Sequence, residues 1–372
     1  MKIASTGLRG IPGVMGGIET HCEELYTRIV ERDKMIDITV LGRSPYLSPG
    51  AATFKHVKVL PVWTVKNKYA ETLLHTVLSI FKARFSGGYD GLHVHAIGPG
   101  LLVPLARLLG MQVIVTHHGS DYDRMKWGRV AKAALRLGEW LAVRFAHRTI
   151  TVSQFTANSL KERFPSRAER IIHIPNGASL PTASGDQSRS DAALFEALGV
   201  EPQNYVLAVG RLVPEKAFDQ LVEAHARSGT SRKLLIVGGA DFDDTFSAAL
   251  MAKASPNVIF AGVRPRSDLV ALYREASVFV LPSFHEGLPI VALEAIHMGT
   301  PVLLSDIGPN MELGLNPAAY FPVGDIDAMA RALSAPPVPV APDLSQKLRK
   351  RYDWDVIAEK TVDVFRTVYD AE

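Results

Sequence analysis

Short apolar runs of four to six residues recur along this chain, separated by longer stretches in which apolar positions return every three or four residues. The alternation predicts buried strands joined by amphipathic helices, the pattern of parallel sheets covered on both faces. A first strand is read at 1–6, followed by a loop carrying Gly7, Gly10, Gly13, Gly16 and Gly17 and then by a helix over 18–32. The run Gln112-Val113-Ile114-Val115 reads as a strand, as does 170–174, which ends in the turn signal Pro175-Asn176-Gly177. A polar, small-residue tract over 180–191 then marks a domain boundary. Beyond it, strands are read near 205–209, 233–237, 257–261, 277–281, 301–304 and 319–323, with helices between them. Pro336-Pro337-Val338-Pro339 reads as a linker and 354–369 as a final amphipathic helix. The expected fold class is therefore α/β, with Rossmann-like, doubly wound domains at 1–180 and 181–353 and a C-terminal helix at 354–372.

At 372 residues and 47% hydrophobic content, the chain is long enough for two domains with separate cores. The single cysteine, Cys22, excludes an internal disulfide and any cysteine-rich zinc site, and no convincing set of metal ligands stands out along the sequence. No signal peptide precedes the first strand, and no apolar run approaches the ~18 residues needed to span a bilayer, so a cytoplasmic protein is expected. Charge is uneven. Residues 1–180 hold 24 Lys and Arg against 13 Asp and Glu, a net +11, while the remainder holds 17 against 25, a net −8. Two basic segments, 66–84 and 129–148, have apolar residues at helical spacing. In the second, Arg129, Lys132 and Arg136 share one face, while Val130, Ala133, Leu137 and Trp140 share another. The expectation is that the apolar face is buried and the charges solvated, with contact to an anionic membrane at the cytoplasmic face as the alternative. Nucleic-acid binding is not expected, because no recognisable binding motif accompanies the basic residues.

The segment His285-Glu286-Gly287-Leu288-Pro289-Ile290-Val291-Ala292-Leu293-Glu294 places two carboxylates eight positions apart across a loop and the start of an apolar helix. Pro289 suits a first helical position and Gly299 is the stop. Glu294 shares the inward face of Ile290 and Val291 and therefore needs partners; a ribose diol would serve, while the helix's N-terminal amides could accept a diphosphate. A solvated Glu and a capping Glu are the plainer alternative. Upstream, Gly210-Arg211-Leu212-Val213-Pro214-Glu215-Lys216 puts two cations at a strand-to-helix turn, where they could stabilise a departing diphosphate in place of a metal. The competing reading pairs Lys216 with Asp219 or Glu215. A third candidate is Thr116-His117-His118-Gly119-Ser120-Asp121, at the carboxyl end of a strand, where open sheets bind ligands. The D-x-D strings at Asp121 and Asp325 are weak metal signatures. The glycine spacing after the first strand does not match G-x-G-x-x-G, which disfavours a nicotinamide-dependent oxidoreductase.

These residues resemble the retaining glycosyltransferases of family 4, and the likeness spans nearly the whole chain. The resemblance implies the GT-B fold, in which two Rossmann-like domains face each other across a cleft and the last helix crosses back to the first domain. It implies that Arg211 and Lys216 grip the donor diphosphate, that Glu286 contacts the donor sugar and Glu294 the ribose, and that the backbone of Gly287, Leu288, Pro289, Ile290 and Val291 surrounds sugar and phosphate. Gly16 and Gly17 resemble the family's loop beneath the diphosphate, and His118 its histidine near the transferred sugar, with His117 one position away as the fallback. A metal-independent transfer from a nucleoside-diphosphate sugar is implied, with no cofactor, onto a glycan or lipid-linked hydroxyl. Leu8-Arg9-Gly10-Ile11-Pro12 and Trp127-Gly128 are similar to a bacterial subgroup that includes rhamnosyltransferases of surface polysaccharide synthesis. A sugar-nucleotide epimerase on the same fold is the alternative. The family usually has Gly after the Lys, where this chain has Ala217, a residue expected to keep a right-handed helical conformation.

Overall fold

The computed structural model describes residues 1–50, 52–67, 70–124, 127–178, 187–240 and 245–370. Residues 68–69 of the basic segment 66–84 and most of the tract 180–191, with the expected boundary at 180/181, lie outside them. The chain forms two compact units, one of residues 1–177 together with 354 onward, the other of 178–353.

The first unit is built on eight strands: β1 (Lys2–Thr6), β2 (Asp37–Arg43), β3 (Ala52–Phe54), β4 (Val57–Val62), β5 (Gly91–His95), β6 (Gln112–His117), β7 (Arg148–Thr151) and β8 (Ile171–His173). Their order is β3-β4-β2-β1-β5-β6-β7-β8, parallel except where β3 runs antiparallel to β4. Connections run outward in both directions from β1, so chain order reverses between β1 and β5. The helix Gly17–Arg32 buries Cys22, Leu25, Tyr26 and Ile29, a spacing that places all four on one face. It starts one residue earlier than the apolar period suggests, since Gly16 serves as its N-cap. The final helix, Trp354–Tyr369, packs against it. Arg28 and Arg32 both reach Asp355, and the Tyr369 hydroxyl donates to the Leu92 carbonyl at 3.0 Å. Gly91 is required there, because a Cβ would lie 2.1 Å from the Tyr369 ring.

The second unit has six parallel strands: β9 (Tyr205–Val209), β10 (Lys233–Val237), β11 (Val258–Gly262), β12 (Val278–Leu281), β13 (Val302–Ser305) and β14 (Tyr320–Phe321). Each falls within a residue or two of its sequence expectation. The order β11-β10-β9-β12-β13-β14 reverses between β9 and β12. Val206, Ala208, Leu234, Ile236 and Val280 of the sheet pack with Phe218 and Leu221 of the helix Phe218–Ser228. Both sheets thus have the switch point at which open α/β sheets hold ligands beyond the carboxyl ends of their strands.

Candidate active site

In the second unit, the two strands flanking the order reversal carry the two motifs. The turn after β9 is tied to the end of β10 by Gly210 N–H to Val237 O and Leu212 N–H to Gly239 O, both 2.9 Å. Gly238 accommodates this crossing, since a Cβ on it would lie 1.8 Å from the Gly210 carbonyl oxygen. A single 3-10 turn, Pro214–Lys216, follows. Ala217 then adopts φ 51°, ψ 32° as N-cap of the next helix. The expectation of a right-handed residue there is wrong: the position is left-handed, which is why glycine suits it and why alanine is strained by about 1–2 kcal/mol. The Phe284 N–H donates to the Glu215 carbonyl at 3.0 Å, joining this turn to the loop after β12.

Across that junction Lys216 Nζ donates to Glu286 Oε1 at 2.5 Å, with side chains only 15% and 12% exposed. The cation of one motif and the carboxylate of the other therefore form an ion pair, in place of a pairing with Asp219 or Glu215. Burial alone would raise the Glu286 carboxyl; Lys216 holds it below its ordinary value. Arg211 is half-buried on the same turn. Gly287 is half-buried and Leu288 and Pro289 are buried in the loop that leads to the helix Ile290–Met298. Pro289 is the N-cap, one position before the first helical residue expected for it, and no side chain caps this helix start. Ile290 is buried and Val291 half-buried in the first turn. Glu294 is 5% exposed, as its inward face requires, and protein groups already meet it: Tyr273 donates to Oε2 at 3.2 Å and Arg266 lies 3.7 Å from Oε1.

In the first unit, the two adjacent histidines at the end of β6 separate cleanly. His117 is 1% exposed and donates from Nε2 to Glu139 Oε1 at 2.9 Å, while its Nδ1 accepts from the Gly119 N–H at 3.1 Å. Arg163 and Tyr122 complete the surroundings of Glu139, which is fully buried. Burial would raise that carboxyl, but His117 and Arg163 hold it below its usual range. With both nitrogens engaged internally, His117 is structural. His118 is the partly exposed member and lies 2.9 Å, Nε2 to Nδ1, from His95 of β5. Gly16 and Gly17 open the helix whose next turn supplies His21, and the His21 ring meets the His118 ring edge-on at 4.8 Å. Gly16 has φ 155°, a conformation that L side chains rarely adopt, and the nearby Glu19 accepts from the Arg9 N–H.

Sequence reasoning missed most of this polar core. His93 and His95 lie on one face of β5, and the Tyr26 hydroxyl touches both, at 2.8 and 2.5 Å. Burial lowers His21 to about 4 against the opposing bond to Asn176; burial reinforced by neighbouring imidazoles lowers His93 to about 3 and drives His95 and His118 well below 6.5. The cluster is neutral at neutral pH. Its one local trace is the pair of histidines in an otherwise apolar strand.

The family described as Glycosyltransferase Family 4 matches residues 15–180, and Glycosyl transferases group 1 matches 191–335. An uncharacterized glycosyltransferase of Methanocaldococcus jannaschii is 25% identical over 98% of both chains. A D-inositol 3-phosphate glycosyltransferase of Salinispora arenicola is 27% identical over 80% of this chain and 73% of its own. Among solved structures, sucrose-phosphate synthase of Thermosynechococcus elongatus superposes with a TM-score of 0.82 at 21% identity, covering all of both chains. Anabaena HepE in complex with UDP-glucose superposes at 0.72 and 19%, covering 99% and 100%. The chain belongs to the family 4 type of GT-B glycosyltransferases. These matches are to transferases and synthases and do not favour the epimerase alternative.

One surface of the glycosyltransferase departs from expectation. The helix Arg129–Phe145 buries Gly138, Glu139, Ala142 and Val143, leaving Val130 (85%), Leu137 (51%) and Trp140 (46%) exposed beside Arg129, Arg136 and Arg144. The periodicity located an amphipathic helix correctly, but its apolar stripe is not the buried side. No helix among the described residues is long and apolar enough to cross a membrane.

Proposed function

We propose that the protein is a retaining, metal-independent glycosyltransferase that moves a sugar from a nucleoside diphosphate to a hydroxyl of a glycan or lipid-linked acceptor, in bacterial surface polysaccharide synthesis. The observation that carries the donor assignment is the Lys216–Glu286 pair at the sheet's switch point, beside Arg211 and an uncapped helix start. In this reading Lys216 and Arg211 take the diphosphate, which needs positive charge where its leaving oxygen gains negative charge. Glu286, released from Lys216, accepts from the sugar hydroxyls. Glu294 exchanges part of its contact with Tyr273 and Arg266 for the ribose diol. Gly287, Leu288, Ile290 and Val291 supply backbone beside sugar and phosphate, Gly16 and Gly17 line the diphosphate, and His118 is assigned to the sugar's reactive face.

The transfer breaks the bond between the anomeric carbon and the diphosphate oxygen, and the acceptor oxygen bonds that carbon on the same face. The acceptor proton passes to the departing phosphate oxygen, so no side chain is assigned as general base and no cofactor enters. The exposed Val130, Leu137 and Trp140 among arginines support a peripheral role at an anionic membrane surface, on the cytoplasmic side where nucleotide sugars are made. UDP and UDP-glucose, held by the Anabaena neighbour, are the first probes. Thermal-shift screening against nucleoside diphosphates and their sugars tests the donor class, and NMR of the anomeric proton in the product tests retention. An inverted product, or no stabilisation by any nucleoside diphosphate, overturns the reading.

A further inference from the structure

We propose that His21, His95 and His118 form a binding site for one divalent late-transition-metal ion of the zinc class. One nitrogen from each ring lies within 4.8 Å of the others. In a tetrahedral site with bonds of ~2.0–2.1 Å, ligand atoms stand about 3.3 Å apart, so small ring rotations would close the set.

The outer hydrogen bonds decide which nitrogens point inward. His21 Nδ1 lies 2.8 Å from Asn176 Oδ1, an atom that only accepts, so the proton is on Nδ1 and Nε2 carries the lone pair. That Nε2 is buried and has no hydrogen-bond partner. A buried acceptor left without a donor is destabilising, and a cation would satisfy it. The Tyr26 hydroxyl donates to Ser5 Oγ at 2.9 Å, so His95 Nε2, 2.5 Å from the same oxygen, must donate to it. His95 Nδ1 is then a second inward lone pair, and at present it accepts from His118 Nε2. Moving the His118 proton to Nδ1 frees the third nitrogen with no net proton release. Metal-bound histidines characteristically donate their other N–H to a fixed acceptor, and two of these three already do.

Nitrogen-only donors select zinc, cobalt, nickel or copper over magnesium and calcium. Cys22 Sγ lies 3.6 and 3.7 Å from the two His95 nitrogens and is not among the three converging ligands. Three neutral ligands leave the ion's charge uncompensated, and the fourth position falls to water, hydroxide or a bound anion. On the reading that His118 faces the transferred sugar, an ion held here inhibits transfer.

The test is titration of the full, tag-free chain with Co(II) at pH 7.5. The expected result is one equivalent bound, with the intense visible bands of a tetrahedral nitrogen site, displaced by Zn(II) and unaffected by Mg(II). His21→Gln should weaken binding at least tenfold, and Asn176→Ala, which removes only the outer hydrogen bond, about tenfold. The wild-type spectrum needs no variant to fold. A weak octahedral spectrum, or equal affinity in a folded His21→Gln protein, overturns the site. Stoichiometric binding without loss of turnover leaves the site standing and removes His118 from the sugar instead.

Discussion

Glu286→Gln should tighten the grip on a free nucleoside diphosphate while crippling transfer. In the free protein Lys216 is held by Glu286 at 2.5 Å in a pair 12–15% exposed, and phosphate must compete with that carboxylate. The net worth of such a pair lies between the exposed and buried limits, about 1 kcal/mol, which is roughly fivefold in affinity. Removing a negative charge beside an anion acts in the same direction, so fivefold is the smaller expectation. The intact donor behaves differently, since Gln loses charge-assisted bonds to sugar hydroxyls of about 1.5–3 kcal/mol. Its affinity relative to free diphosphate should therefore fall at least tenfold, and turnover on the order of 10²-fold or more. Isothermal titration with UDP and with UDP-sugar, alongside initial rates, reads all three quantities. A Glu286→Gln protein that melts normally but binds diphosphate several-fold more weakly would refute the placement of phosphate at Lys216.

Four further outcomes follow from the same geometry. Glu294→Gln should weaken donor and free diphosphate alike, by about 1.5–3 kcal/mol, because both carry the ribose; calorimetry showing neither affected removes that contact. Turnover should survive EDTA; loss restored by manganese or magnesium would make Asp121 and Asp123 candidate ligands again. Ala217→Gly exchanges about 1–2 kcal/mol of left-handed strain for about 0.4–1 kcal/mol of chain entropy and ~0.8 kcal/mol of buried methyl, a net near zero. Ala224→Gly, equally buried but mid-helix, should cost about 1.5–2 kcal/mol, and equal losses in denaturant melts would contradict the strain. Burial lowers His21 to about 4 against its bond to Asn176, and burial with His21 nearby lowers His93 to about 3. Their folded values lie below 6.5, so the unfolded chain takes up protons first, and this stability is full above about pH 6.5 and drains as pH falls towards 4. At pH 5 each accounts for about 2 kcal/mol, and guanidinium midpoints unchanged between pH 7.5 and 5 would refute the neutral cluster.

Strand and helix positions were legible because burial in a parallel sheet and on a helix face leaves a period in the sequence, as in 205–209 or 354–369. What covers a face leaves no such mark. The stripe Val130, Leu137, Trp140 has the same period whether buried or exposed, and only the packing of Gly138, Glu139, Ala142 and Val143 reveals which side faces inward. Ala217 was misread for a related reason, since an alanine before a helix carries no trace of a left-handed φ. The histidine core was hidden because His21, His95 and His118 come from a helix and two strand ends far apart in the chain.

The Lys216–Glu286 pair lies between these cases. Each residue was identified within its own motif, one at the turn after β9 and one in the loop after β12, and each was given a separate ligand. Their meeting depends on strand order. Chain order alone would make β9 a neighbour of β10, with β12 a remote strand; the sheet places β9 between them. Because consecutive strands are laid down outward from β9 and the direction then reverses, the two turns that flank the reversal have no intervening crossover helix to keep them apart. The cation for the leaving group and the carboxylate for the sugar are adjacent for that topological reason. A register slip or altered strand order would preserve both motifs in the sequence while separating Lys216 from Glu286.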